Sequence, residues 1–328
     1  MMRGSVAARH ARAGRAHAQE SARMPDSTPT PRLPIETFLI ALMCLIWGST
    51  WFVIQRGLAD LPPFTSAGAR FVVAAIAMTA VAQALQRRES GRRPPPWLSL
   101  VVGICNFGLA YGIVYRSETR LPSGLTSVLW SIFSMLMALA GHLYLPGERL
   151  RARQWSGFAT GFIGVTLLFL TDIKEIGTDA IPAALIMCGS PLAAAIGTTV
   201  VKRHGSGVSS VLLNRNAMWI GAGLLCGTAG LVEHDARVVW NPSSVGSVIY
   251  LALVGTTLAF GIYFWLLRRM PAHELSLISY VTPAIALLLG TLVGKESFTL
   301  FTAAGSGLIL AGVWLVVRGS RRQSSSRS

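Results

Sequence analysis

The sequence predicts an all-α membrane protein, with ten transmembrane helices in two inverted five-helix repeats. Three observations carry the prediction: a deficit of charge, apolar stretches of membrane-spanning length, and basic residues that alternate from one inter-helix flank to the next. Charged residues make up 13% of the 328-residue chain and hydrophobic ones 52%, whereas soluble domains carry about 25% charged residues. A helix rises about 1.5 Å per residue, so about 20 residues cross a hydrocarbon core of roughly 30 Å. Lipid offers no partner to backbone N–H and C=O groups, which favours helices. A barrel strand would alternate apolar and polar residues, and the run from Phe158 to Leu170 does not.

Taken in order, residues 1–33 are rich in Ala, Arg, Ser and Pro and form a basic tail that cannot build a core. The first apolar stretch is too long for a secretory signal and lacks a small-residue cleavage site. The tail's composition also fits a transit peptide, and Met24 is an alternative start. The first repeat, 34–172, holds spans near 36–55, 65–85, 97–115, 122–145 and 154–171. The second, 179–317, holds spans near 180–201, 209–231, 244–267, 274–293 and 299–317. Residues 318–328 form a short basic tail suited to anionic headgroups.

Of the 29 Lys and Arg residues, 21 fall on the even flanks: the N-terminal tail, 86–96, 146–153, 202–208, 268–273 and the C-terminal tail. The other five loops hold 6: Arg56, Arg116, Arg120, Lys174, Arg237 and Lys295. This bias predicts that both termini of the multi-pass protein lie in the cytoplasm. It also explains the net charge of +15 without nucleic acid.

An internal repeat organises the spans. From Glu148 a glycine lies nine residues on and another sixteen on (Gly157, Gly164), and the same offsets from Glu296 reach Gly305 and Gly312. Leu109-Ala110-Tyr111-Gly112-Ile113 matches Leu258-Ala259-Phe260-Gly261-Ile262, and Arg120-Leu121-Pro122 matches Arg269-Met270-Pro271 at the same spacing. Trp47-Gly48-Ser49 faces Cys188-Gly189-Ser190, and Arg70 faces Arg215. Five helices is an odd number, so the second half enters the membrane from the opposite side. Inverted repeats of this kind typify secondary transporters, which bind solute near the midplane between the halves.

Several other chemistries are excluded. Gly290 to Ser297 has one residue too few between its glycines for a P-loop and no preceding strand, and Leu277 stands where a metalloprotease motif begun at His273-Glu274 needs its second His. No cluster has metal-ligand spacing. The cysteines, Cys44, Cys105, Cys188 and Cys226, read as small apolar filler in helices. No enzyme activity, metal or cofactor is expected.

Trp47-Gly48-Ser49-Thr50, Leu61-Pro62-Pro63 followed by Arg70-Phe71, and the two helix-then-Glu units ending at Glu148 and Glu296 resemble the EamA-type permeases of the drug/metabolite transporter superfamily, over residues 36–317. The resemblance implies a ten-helix bundle in which helices 1–4 and 6–9 surround a central path, with helices 5 and 10 peripheral. It also implies export of amino acids, metabolites or drugs. The sequence departs from the family pattern at Met135, where helix 9 has Pro283, and at Cys188, where helix 1 has Trp47; both predict an asymmetric cavity.

The candidate path residues follow. Arg70 and Arg215 lie inside apolar segments, where a charge costs about 2.5–3.5 kcal/mol on insertion scales. Each faces a wet path, binds an anion, pairs across helices, or snorkels to an interface. Trp47, Trp51, Tyr111, Tyr115, Trp130, Tyr263 and Tyr280 sit on path helices, and belong either to the cavity or to the interfacial aromatic belt. Tyr111 and Tyr115, four apart, share a face. Ser49, Thr50, Ser131, Ser190, Thr256, Thr257 and Ser279 line the path or bond across helices. His142 and Glu274 are titratable but terminal. Gly157-xxx-Gly161 and Gly223-xxx-Gly227 permit close helix contact, either within the chain or in a homodimer.

The leading function is a secondary permease that moves a small-molecule solute, surrounded by membrane lipids, by alternating access in the direction of efflux. Import or exchange is the alternative within the same fold. A membrane-embedded transferase would need a polar catalytic cluster, and a sensor or channel subunit would need a soluble domain or charged filter; neither is visible.

Overall fold

The computed structural model describes residues 34–85, 91–145, 149–176, 181–294, 304–305 and 307–316. Both terminal tails, Glu148, Lys295 and Glu296 lie outside them. The described residues form ten helical segments in chain order: α1 (Pro34–Leu58), α2 (Pro63–Leu85), α3 (Pro96–Glu118), α4 (Ser123–Tyr144), α5 (Ala152–Ile176), α6 (Ile181–His204), α7 (Ser210–Val232), α8 (Pro242–Leu267), α9 (Ala272–Leu275, then Ile278–Gly294) and α10 (Gly307–Val316). Six of them, α1–α4, α6 and α8, are long and apolar enough to cross a membrane.

Local chemistry sets the helix ends. Pro63, Pro96 and Pro242 each open a helix, where the missing N–H has no intrahelical partner to lose. Asn241 and Ser244 form a reciprocal capping box on α8. The Ser209 side chain caps α7 by accepting from Leu212 N–H. Gly207, at φ +70°, supplies the left-handed residue that turns the chain between α6 and α7.

Alternate loops gather at opposite ends. At one end, Glu233 accepts from Phe64 N–H, Thr65 N–H and Thr65 Oγ1 at 2.7–2.8 Å, and Val239 N–H donates to the Asp60 carbonyl. At the other, Arg92 pairs with Gly207 and Ser209 through the backbone, Arg268 donates to Val208 O, and Lys202 Nζ donates to Leu267 O and Met270 O at 2.6 Å. The second end collects the basic loops.

The helices α5 and α10 pack antiparallel. A β-carbon on Gly157 would stand 2.8 Å from the Gly312 carbonyl oxygen, and one on Gly164 would stand 2.6 Å from that of Gly305. The glycines at +9 and +16 in each half therefore pair crosswise between α5 and α10. The helices α2 and α7 pack the same way: Gly68 abuts Cys226, and Trp219 Nε1 donates to Thr79 Oγ1 at 3.1 Å. Gly161 is covered by the Tyr280 ring, so the Gly157/Gly161 face is used inside the chain. Gly223 and Gly227 have nothing within 4 Å.

Five helices depart from simple rods; α6 breaks at Cys188 and α9 at Ser276-Leu277. Each of α3 and α8 carries a π-helical stretch, Gly103–Leu109 and Leu253–Leu258, ending at the equivalent leucines of the repeat. The helix α4 breaks at Ser131, where tight backbone turns replace the regular ladder. The third spanning segment also runs three residues beyond its expected end at 115, which carries Glu118 into the helix and into the protein interior.

Candidate functional site

Six helices wall a central cavity: α1 with Trp47, Thr50, Trp51 and Ile54; α3 with Asn106, Tyr111 and Val114; α4 with Trp130 and Phe133; α6 with Ala194 and Thr198; α8 with Phe260 and Tyr263; α9 with Ser279 and Thr282. It measures about 60 Å³, room for a few waters. Its walls are mainly aromatic, and among the described residues none of its lining side chains is charged. Trp130 stacks on Phe133 with ring centroids 6.0 Å apart and meets Trp51 at the same distance. Trp47 packs at 5.4 Å against both Phe260 and Tyr263.

Three polar atoms of the lining residues have no hydrogen-bond partner: Trp51 Nε1, a donor, Asn106 Oδ1, an acceptor, and the Tyr263 hydroxyl, which can be either. Asn106 sits in the α3 π-stretch and donates through Nδ2 to Ala194 O (3.2 Å) and Thr198 Oγ1 (3.0 Å). Gly197 makes this approach possible, because a β-carbon there would collide with Asn106 Oδ1. On α9, Pro283 cannot donate to the Ser279 carbonyl; Thr282 Oγ1 donates to it at 3.4 Å.

Arg70 lies behind this wall, 1% exposed. Its guanidinium is held on three sides: Nε donates to Thr256 Oγ1 at 2.8 Å, Nη1 to Tyr115 Oη at 3.3 Å and Nη2 to Gly255 O at 3.4 Å. Its carbon stands 4.6 Å from the centroid of the Tyr111 ring, an arrangement that suits a cation. Gly255 O also accepts from Trp47 Nε1 at 3.3 Å. The π-stretch of α8 is what presents these acceptors. Within it, the Thr256 and Thr257 hydroxyls donate to the carbonyls five residues back, at Leu251 and Ala252. Arg70 thereby joins α2 and α3 to α8.

The candidates named from sequence separate into three groups. Trp47, Thr50, Trp51, Tyr111, Trp130, Tyr263 and Ser279 line the cavity. Arg70, Tyr115 and Thr256 form the cluster behind it. Ser49, Ser131, Ser190, Arg215, Thr257 and Tyr280 lie elsewhere. Ser49 bonds Ile46 O and Tyr250 Oη, and Ser131 bonds Val128 O. Arg215 is held by its neighbour Asn216. Thr257 faces an open groove of about 730 Å³ among α1, α2, α7 and α8. Tyr280 donates to Phe158 O in the packing of α4, α5 and α9. His142 accepts from Leu150 N–H in the turn after α4. Asn106, Phe133, Thr198, Phe260 and Thr282 were not among the candidates, nor was Glu118. Trp47 reaches the α8 bulge, while its counterpart Cys188 marks a kink in α6 and is not among the residues lining the central cavity.

A bundle of membrane-spanning helices whose central cavity draws its walls from both halves has the architecture of a multi-pass membrane transporter. The chain belongs to the EamA-like transporter family, whose profile matches it twice, over residues 34–170 and 181–318, and it is a transporter rather than an enzyme. It is 30% identical over 296 residues to the uncharacterized inner membrane transporter YedA of Escherichia coli K12, covering 88% of this chain and 92% of that one. It is 26% identical over 289 residues to the uncharacterized transporter YvbV of Bacillus subtilis, covering 88% and 93%. A protein of Salmonella typhimurium described as a probable amino-acid metabolite efflux pump is 27% identical over 304 residues, covering 88% and 97%. One solved crystal structure shares the fold, with a TM-score of 0.74 at 21% identity over 88% of this chain and 98% of that one.

Proposed function

We propose that the chain is a secondary permease of the bacterial inner membrane that exports a small organic solute by alternating access, one half rocking against the other around the central cavity. The observation that carries this reading is the cavity itself, walled by three helices from each half and offering aromatic faces, an unpartnered donor at Trp51, an unpartnered acceptor at Asn106 and an unpartnered hydroxyl at Tyr263. Such walls suit a solute with an apolar or aromatic body and a hydrogen-bonding group. A multiply charged anion finds no counter-charge on them. At about 60 Å³ the cavity is too tight for such a solute, so binding requires the walls to part.

The crosswise glycine pairs of α5 and α10 and the antiparallel packing of α2 on α7 support two five-helix repeats of inverted topology. Basic loops gathered at one end support cytoplasmic termini. The efflux pump among the relatives favours export. Reconstitution into liposomes tests the reading with a panel of amino acids, analogues and drugs. Saturable, protein-dependent flux of one of them is the expected result. Product formation without flux would point to a membrane transferase instead.

A further inference from the structure

Glu118 closes α3 with both carboxylate oxygens buried and unpartnered, and the residue is 5% exposed. Neither described neighbours nor its own backbone satisfy it, and the adjacent Ser117 hydroxyl is unpartnered too. A buried carboxylate without hydrogen bonds is far costlier ionised than protonated. Its place on the last turn adds to the cost, because the helix dipole presents its negative end there. Water is close, since Arg116, Thr119 and Arg120 are all exposed.

Among the described residues, the charged group that faces Glu118 from a neighbouring helix is Arg70 on α2, and from its own helix the titratable groups in the cluster are Tyr115 and Tyr111. The nearby segments 123–130 and 181–187 carry no titratable side chain. Arg70 interacts with Glu118 through space but makes its hydrogen bonds to Thr256, Tyr115 and Gly255. The observed arrangement is therefore the one expected of a neutral Glu118.

We propose that Glu118 is a proton-binding site that controls the Arg70 contact between α2 and α8. The proton comes from water at the Arg116/Arg120 end and returns to it. With the proton bound, Arg70 stays on the Gly255 carbonyl and the Thr256 hydroxyl. With the proton lost, the carboxylate competes for the guanidinium as an ion-pair partner, and neutral acceptors on α8 are the weaker choice. Arg70 turns toward α3, and the α8 bulge is released. Its consequence for transport rests on the permease reading; proton binding itself does not.

The test uses the full chain in lipid nanodiscs without solute, so that its failure leaves the flux assay untouched. Infrared difference spectra between acidic and alkaline pH are expected to show one buried carboxyl losing its proton. Glu118→Gln removes that band and Glu118→Asp shifts it. In the wild type, hydrogen exchange of the amides around 251–258 rises as the band disappears, and in Glu118→Gln it stays at its low-pH level. A carboxyl band unmoved by either substitution, or bulge exchange that follows pH equally in Glu118→Gln, overturns the proposal.

Discussion

The Arg70 guanidinium donates to Thr256 Oγ1 at 2.8 Å, across the boundary between the two family-matched units. A cation in α2 is thus fixed by a bulge in α8, and the same bulge carbonyl, Gly255 O, holds Trp47 on the cavity wall. The contact links the shape of the cavity to the relative position of the halves.

Arg70→Ala is expected to reduce solute flux strongly while leaving membrane insertion intact, because the helices are long and apolar without it. Arg70→Lys should rescue little. An ammonium keeps the charge but lacks the planar fork that reaches Thr256, Tyr115 and Gly255 together. Flux in liposomes, normalised to inserted protein, checks both. Full activity of the lysine variant would show that charge alone matters.

Gly197→Ala drives a β-carbon into Asn106 Oδ1, displacing the side chain that bonds Ala194 and Thr198. The variant should raise KM about tenfold, or about 1.4 kcal/mol. Asn106→Ala removes the collision, so the double variant should resemble Asn106→Ala alone. A double-mutant cycle in flux reads this coupling, and simple additivity would contradict it.

The order of the apolar helices was legible in the sequence, six of them long enough to span, because lipid imposes one rule on every residue of a span. The aromatic wall residues Trp47, Tyr111, Trp130 and Tyr263 were legible because large amphipathic rings stand out in apolar runs. The bulges were not. A π-stretch inserts a residue into the helical period, and nothing in Gly255-Thr256-Thr257 marks it before the contacts with Arg70 are seen. Ser49, Ser131 and Tyr280 read as path residues, yet their hydroxyls are engaged by backbone carbonyls, locally at Ser49 and Ser131 and across helices at Tyr280. Glu118 sat outside the expected span because Arg116 and Arg120 made it look like a loop. The spacing of Tyr111, Tyr115 and Glu118, at i, i+4 and i+7, was the available signal that all three share one helix face.

Glu233→Gln weakens the cap on α2. The carboxylate takes two backbone N–H groups and the Thr65 hydroxyl at the positive end of that helix. Loss of its charge should cost about 0.5–1 kcal/mol, seen as a lower thermal midpoint in detergent, and Glu233→Ala should cost more, about 1–2 kcal/mol. Glutamine retains one acceptor, which sets the order of the two.

Gly157→Leu and Gly312→Leu push side chains into the backbone of the facing helix, at 2.8 and 2.5 Å from its carbonyl oxygens for the β-carbon alone. Overpacking of this kind costs about 1–3 kcal/mol, so both variants should melt lower. Gly223→Leu and Gly227→Leu meet open space and should leave the monomer's midpoint unchanged.

Trp130 stands at the break in α4, where the turn at Ser131 carries the ring between Trp51 and Phe133. Its contribution is an aromatic face on the cavity, since its neighbours supply the polar atoms. Trp130→Phe keeps a ring that can stack on Phe133 and should hold KM within a few fold. Trp130→Ala removes the face that a flat or apolar solute would meet and should raise KM about tenfold or more, a loss of about 1.4 kcal/mol, with kcat less affected. The split between KM and kcat separates this from Arg70→Ala, which is expected to act on the movement of the halves and so on kcat. Equal loss of both parameters in Trp130→Ala and Arg70→Ala would mean that wall and clamp are not distinct.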